Sequence, residues 1–310
     1  MACQTPLVRR EKLTNKLQLV PCNKCPKCRG RITSAWSFRL MQEEKHARSA
    51  FFITLTYNND NLPVTRNGFL EIRKSDLQKF FKRLRKAHSS RKKNPVYYKQ
   101  QIKYYAVGEY GGRFKRPHYH VIMFNCNVEL IENAWTNGNK VFKGKSMGQI
   151  HYGYVSGASV GYTMKYISKP SKIPIHKNDD RTPEFALMSK GLGECYLTKA
   201  MIAWHHYAMT QRAFVMTQDG KQIAIPRYYR DRIYTKDDKK QIAFVTSQER
   251  ELAELKISPQ MRRDMLETDI IKFKKLNRYG DKKTILETHV QCSGRTKIVR
   301  KKLHAFKNNS

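Results

Sequence analysis

Arg116-Pro117-His118-Tyr119-His120-Val121-Ile122-Met123-Phe124 is the stretch on which the fold turns. Past its proline it is aromatic and apolar, and it reads as a strand. Strand side chains alternate between faces, so His118 and His120 project from the same one, about 7 Å apart. Two imidazoles so placed can converge on one metal ion. Residues 102–110 have similar character, and Gly111-Gly112 through Arg116-Pro117 separates the two segments. They predict an antiparallel hairpin with a basic tip. That pairing brings Glu109 beside the histidines. Taken alone, Glu109 could equally partner Arg113 or Lys115. Beside two neutral imidazoles it completes a three-ligand site with open positions, which suits Mg²⁺ or Mn²⁺ when a phosphate supplies further oxygens.

Working outward, Phe51-Phe52-Ile53-Thr54-Leu55-Thr56-Tyr57 is a second strand, closed by the turn Asn58-Asn59-Asp60-Asn61. Ile32, Ala35, Trp36 and Leu40 recur at helical spacing. Leu77, Phe80, Phe81 and Leu84 do the same, with Ser75 and Gln78 reading as a capping box and Lys79, Lys82, Arg83 and Lys86 on the opposite face. A short helix over Val128–Trp135, a strand over Ile150–Val155 and a helix from about Ser159 to Ser168 follow. Asp219-Gly220 reads as a hairpin turn, and residues 237–277 as mostly helical, with Ser258-Pro259 as an N-cap and first-turn proline. This order predicts an α+β fold, an antiparallel central sheet flanked by helices, with a more helical C-terminal extension.

Tyr162 and Tyr166 lie one helical turn apart, and Val160, Met164 and Ile167 form a separate apolar stripe. The tyrosines therefore face away from that stripe, toward solvent or toward a site on the sheet. A divalent ion on a phosphodiester oxygen offsets charge in the transition state. A phenolic oxygen can then attack phosphorus and form a phosphotyrosine. With a pKa near about 10 the phenol needs a base or a nearby cation, a role open to Lys165.

Charge names the partner. Lys and Arg number 61 against 25 Asp and Glu, a formal charge of +36 with 40% hydrophobic residues. The hydrophobic fraction suffices for a core, and the charge calls for a polyanion, nucleic acid first. The basic faces around Lys79–Lys86 and Arg91–Lys93 would contact the backbone, giving affinity but not sequence choice. Pro226-Arg227-Tyr228-Tyr229-Arg230 interleaves aromatics with Arg, a pattern that suits stacking on unpaired bases or an ordinary basic strand end. The adjacent His205 and His206 point to packing or solvent. There is no apolar run of transmembrane length and no signal-peptide core, so a chain neither secreted nor membrane-embedded is expected. The seven cysteines are an odd number, with three bunched as Cys22-x-x-Cys25-x-x-Cys28, which argues against a disulfide framework and for a reducing cytoplasm. With Cys3 they could complete a tetrahedral Zn²⁺ site, or remain reduced thiols in a loop.

At this point the residues resemble a family. The His118-Tyr119-His120 strand, Gly108-Glu109-Tyr110-Gly111 upstream, the Phe51–Tyr57 strand and the Tyr162-x-x-x-Tyr166 pair are similar to the HUH endonucleases of rolling-circle replication. The nearest likeness is to replication initiation proteins of microviruses, the gokushovirus group of single-stranded DNA phages, over roughly residues 20–200. The middle residue, Tyr119, departs from the bulky hydrophobic that the family name implies, but it points to the other sheet face. The resemblance implies a DNA endonuclease and strand transferase that nicks single-stranded DNA at an origin and holds the 5′ phosphate on a tyrosine. It would rejoin the strand after one circuit. Glu109, His118 and His120 would hold the metal, Tyr162 and Tyr166 would be the nucleophiles, and Lys165 an auxiliary. It implies single-stranded or supercoiled origin DNA as substrate. The sequence carries no P-loop, so a host helicase and DNA polymerase are implied as partners, in the cytoplasm of the bacterial host. The domain division expected is a Cys-rich appendage over 1–30, the HUH domain over 31–205 and a basic, mostly helical region over 206–310. Two other readings remain at this stage: a non-catalytic zinc-containing nucleic-acid-binding regulator, and an HUH plasmid initiator or transposase.

Overall fold

The computed structural model describes residues 3, 5–10, 15, 17–92, 94–112, 114–138, 144–155, 160, 161, 163 and 173–255. The chain divides into two compact units, one formed by Trp36–Thr198 and the other by Met1–Ala35 with Lys199–Ser310. Elements run β1 (Leu7–Arg10), β2 (Leu17–Val20), α1 (Pro26–His46), β3 (Ala50–Thr56), α2 (Lys74–His88), β4 (Lys103–Tyr110), β5 (Pro117–Phe124), α3 (Glu129–Ala134), β6 (Ile150–Tyr154) and β7 (Phe185–Met188). They continue with α4 (Lys199–Tyr207), β8 (Phe214–Met216), β9 (Gln222–Ala224), α5 (Arg227–Ile233) and α6 (Lys236–Leu255).

In the Trp36–Thr198 unit, five strands form one sheet in the order β6-β3-β5-β4-β7, every neighbouring pair antiparallel. The α+β fold with an antiparallel sheet flanked by helices is thus the observed one. Each strand's alternation sorts its side chains onto two layers. Ile53, Leu55, Tyr119, Val121 and Met123 face one way, and onto them pack Leu77, Phe80, Phe81 and Leu84 of α2 and Ile131 and Ala134 of α3. Each of these large α2 side chains is fully or almost fully buried, worth about 1.5–3 kcal/mol apiece. Tyr105, Val107, Ile122 and Phe124 face the other way and meet Leu40, Val160 and Leu192. The predicted strand pair 102–110 and 117–125 and the short helix after it appear almost residue for residue, as β4, β5 and α3.

Two local readings are corrected. Helix α2 starts at Lys74, its N-cap is Arg73, and no side chain caps it, so Ser75 and Gln78 form no capping box. The cap function passes to the core. The Tyr119 hydroxyl donates to the Arg73 carbonyl at 2.7 Å and accepts from the Arg73 N–H at 3.2 Å, and it lies 2.6 Å from the Tyr57 hydroxyl. A buried tyrosine between the two histidines therefore serves the helix that covers its face. Second, Pro226–Arg230 ends no strand. Its residues enter helix α5, where Tyr229 is fully buried and the Arg232 guanidinium covers the Tyr228 ring at 3.7 Å. Both rings are taken, so base stacking finds no free face there.

In the other unit, β1–β2 and β8–β9 are two-stranded hairpins, the latter around the predicted Asp219-Gly220 turn. His205 Nδ1 lies 2.7 Å from the Arg212 carbonyl and His206 Nε2 2.8 Å from that of Ile233, so both are packing residues. The expected cap at Ser258-Pro259 and the basic last thirty residues lie outside the described residues. No helix among the described residues is long and apolar enough to cross a membrane.

Candidate metal centre and its cleft

The β4–β5 register sets the site. Glu109 stands directly opposite His118, and Val107 opposite His120, while β3 places Thr54 opposite His120 on its other side. Antiparallel pairing so puts one carboxylate and two imidazoles on a single face, at the tip end of the hairpin. Two small-residue features allow this. The Gly111 N–H donates to the Arg116 carbonyl at 3.0 Å and closes the tip. A Cβ on Gly108 would stand 2.5 Å from the Ile72 side chain and 3.1 Å from the Phe185 ring. Glycine is needed there because two apolar side chains close over the strand next to Glu109.

Both imidazoles turn Nε2 toward the same oxygen. Glu109 Oε1 is 2.7 Å from His118 Nε2 and 3.1 Å from His120 Nε2. The far sides of the rings are held: His118 Nδ1 lies 3.1 Å from the Arg116 carbonyl, and His120 Nδ1 lies 2.9 Å from the Thr54 hydroxyl. Phe52 stacks on the His120 ring at 5.7 Å. Such outer partners fix the ring tautomer and aim. The carbonyl of Arg116 can only accept, so His118 carries its proton on Nδ1 and a neutral ring presents a bare lone pair at Nε2. A lone pair 2.7 Å from a carboxylate oxygen demands a cation between them, a proton or a metal ion.

The electrostatics agree. Burial pulls the His118 pKa down, but the hydrogen bond and charge of Glu109 outweigh it and the net shift is upward. Burial raises the Glu109 pKa, but the two histidines outweigh it and the net shift is downward. Glu109 and His120 are buried, whereas the His118 side chain is 20% exposed, so the centre opens past His118. Glu109 Oε2 is buried with no hydrogen-bond partner among the described residues. An orphaned carboxylate oxygen beside two converging nitrogens, all within 4.8 Å of one another, fits a small oxygen- and nitrogen-loving divalent ion.

The centre floors a cleft of about 720 Å³. Arg116 braces one wall, its Nη2 donating to the Tyr57 carbonyl at 2.7 Å and to Asn59 Oδ1 at 2.9 Å. Phe114, Gln149 and His151 also line it, and sequence reasoning missed all three. Only His151 had a signal, its place opposite Thr54 once β6 is paired with β3. Tyr162, Tyr166 and Lys165 lie outside the described residues. The helical residue just before them, Val160, is buried against Tyr105, Val107 and Ile122, on the sheet face that carries the metal centre.

A second cluster sits in the other unit. The sulfurs of Cys3, Cys22, Cys25 and Cys28 lie within 4.8 Å of one another, with Cys3 at 3.5 Å from Cys22 and 3.8 Å from Cys25. Four sulfurs at about 2.3 Å from a tetrahedral zinc would be about 3.8 Å apart. Burial raises the Cys22 thiol, but donors from Thr5 and from the Cys25 and Lys24 N–H groups outweigh it and bring it down to about 6. Burial and neighbouring thiols push Cys28 up. One thiolate is therefore ready at neutral pH, and the others wait on a cation.

Residues 50–171, which include β3 to β6, match the family model for replication-associated proteins of the ORF2 type. The chain is 27% identical over 270 residues to the replication-associated protein VP4 of Bdellovibrio phage phiMH2K, covering 80% of this chain and 77% of that one. It is 28% identical over 225 residues to the replication-associated protein ORF2 of Spiroplasma virus 4, covering 68% and 66%. Against the replication-associated protein ORF4 of Chlamydia phage 1 it is 23% identical over 227 residues, covering 68% and 53%. No solved structure matches. The matched segment holds Glu109, His118 and His120, and the similarity to phage proteins runs well beyond it: the chain is a microvirus-like replication-associated protein.

Proposed function

We propose that this chain is a metal-dependent, single-strand-specific DNA endonuclease and strand transferase that opens and closes the origin in rolling-circle replication. The observation that carries the reading is the convergence of His118 Nε2 and His120 Nε2 on Glu109, whose second oxygen is buried and unpaired. These three residues would hold Mg²⁺ or Mn²⁺, which when bound polarises the scissile phosphate and offsets its developing charge. Arg116 braces the cleft wall, and the buried side of the centre keeps water from the Glu109 carboxylate.

Tyr162 and Tyr166 are the proposed nucleophiles. One phenol loses its proton, its oxygen bonds to phosphorus, and the bond from phosphorus to the 3′ oxygen breaks. The 3′ oxygen takes up a proton, with Lys165 as the proposed aid, and the 5′ phosphate stays on the tyrosine. After one circuit the second tyrosine repeats the attack on the regenerated origin. The newly released 3′ hydroxyl then displaces the first tyrosine and closes the circle. The place of Val160 on the sheet face that bears the metal centre supports this assignment. A host helicase and polymerase would supply unwinding and synthesis in the bacterial cytoplasm. The N-terminal thiols would hold a structural Zn²⁺, and their sulfur spacing supports that. A non-catalytic zinc-containing regulator would account for the thiols and the charge but would leave the Glu109 centre unused.

The test mixes the protein with a labelled single-stranded oligonucleotide carrying the cognate origin, with Mn²⁺ or Mg²⁺, on a denaturing gel. A metal-dependent, protease-sensitive adduct on the 5′ side of a break, lost when both tyrosines are changed to Phe, is expected. Tight binding with no adduct under either metal sinks the enzyme reading.

A further inference from the structure

On the sheet face opposite the histidines, between α2 and the chain around α3, lies a second cavity of about 680 Å³. Arg73, Lys79, Lys82, Arg83 and Lys86 line it, against a single carboxylate, Asp76. Lys79, Lys82 and Lys86 fall at i, i+3 and i+7 of α2, one stripe of the helix whose other side is the buried Leu77, Phe80, Phe81 and Leu84. All three lysines are exposed, and none has an ion-pair partner among the described residues. Arg83 is set more deeply. Its Nε donates to the Ala134 carbonyl at 2.8 Å and its Nη1 to that of Gly138 at 3.4 Å, and Nη2 is buried with no partner among the described residues. The guanidinium is thereby fixed as a positive floor under the long lysine side chains. The facing wall is neutral and polar, with Asn137 Nδ2 tied to Asn61 Oδ1 at 2.9 Å.

From this arrangement we infer that the α2 groove is a second DNA site, which takes the backbone phosphates of paired DNA flanking the nicked strand. The inference rests on the reading that the chain acts on DNA, and it adds a surface that the cleavage chemistry does not use. Three features select this occupant. The lining is cationic and concave, which recruits a polyanion. It contains no aromatic residue, whereas sites for unpaired bases rely on aromatic platforms for stacking. And it lies across the sheet from the cleft, so a segment held there is not the one being cut. Contacts to phosphates alone hold and orient a duplex without reading its bases.

The experiment measures binding of the full chain to a labelled duplex of arbitrary sequence by fluorescence anisotropy across a salt series. The variant is Lys79→Gln/Lys82→Gln/Lys86→Gln. The control is Lys99→Gln/Lys177→Gln/Lys190→Gln, which removes the same charge from exposed positions outside the groove. Because each lost phosphate contact removes about 0.9 from the slope of log affinity against log salt, the groove variant should lose about 2–3 from that slope. Its affinity near physiological salt should fall roughly 10–100-fold, and the control should lose far less. Equal losses in the two variants, or an unchanged groove variant beside tight wild-type binding, overturn the groove alone. A matching loss of affinity for polyglutamate makes it a general polyanion patch and also overturns it. A wild-type chain that binds no DNA sinks both this inference and the function on which it rests. Near-native melting of the groove variant, expected since its three positions are exposed, separates lost binding from lost folding.

Discussion

At the scale of single residues, the centre stands or falls with Glu109, the one acceptor shared by both imidazoles. Glu109→Gln keeps the shape and removes the charge. Changing an outer partner of a metal ligand typically costs about 10–100-fold in affinity, so changing the ligand itself should weaken Mn²⁺ binding by more than about 100-fold in a calorimetric titration. The same residues set a pH dependence. Without metal, a proton sits between Glu109 and His118, and metal must displace it. His118 has its pKa raised above the ordinary value of about 6.5, so Mn²⁺ affinity should climb as pH rises through that raised value, with proton release. The metal-free fold shows the complementary trend. Stability gained from the raised histidine is full below about pH 6.5 and is lost as pH rises through its folded pKa. Stability gained from the lowered Glu109 is present above about pH 4.3 and is lost as pH falls through its folded pKa. A melting series in the presence of a chelator should therefore show the pair's contribution largest at mildly acid pH. Metal affinity that does not vary across that range would remove the proton from the account.

At the scale of elements, strand β5 works on both faces at once. His118 and His120 face the cleft, while Tyr119 reaches through the core to the first turn of α2. Tyr119→Phe would leave the buried end of that helix without its acceptor and donor and cost about 1–3 kcal/mol, read as a lower denaturant midpoint. Mn²⁺ affinity should hold, because the hydroxyl is on the far face. A large loss of metal affinity with unchanged stability would contradict this division. The N-terminal hairpin poses a different problem. Its strands have four residues each, and every residue of β1 is exposed, too little for independent stability. Thiols from Cys3, Cys22, Cys25 and Cys28 would supply the missing tie through zinc. Cys25→Ser should lose one equivalent of zinc by elemental analysis; a wild-type protein purified without zinc and unable to take it up rules the tie out.

At the scale of the whole molecule, what could be read from sequence follows the range of the physics. Alternation over residues 50–56, 103–110 and 117–124 is a local signal, and it yielded three neighbouring strands and the pairing of Glu109 with His118. The convergence of the three ligands followed from that pairing alone. Strand β7 was missed because its partner β4 lies some eighty residues earlier, and the four residues Phe185–Met188 are too short to show a period. The start of α2 was misread because its cap comes from Tyr119, a residue far along the chain, and not from Ser75. The cleft's Phe114 and Gln149 carry no pattern at all, and only the folded sheet puts them beside the histidines.

The double duty of β5 also bears on which heritable changes the gene can tolerate. Insertion or loss of one codon within 117–124 would shift the strand by one residue and exchange its two faces. Both imidazoles would enter the apolar layer, and Tyr119 would swing into the cleft, so the centre and the seat of α2 would fail together. A codon gained among residues 112–115 meets only the exposed hairpin tip, where loop length costs little. Lineages of this protein should therefore vary in length at that tip and hold the strand beside it to a fixed count of residues.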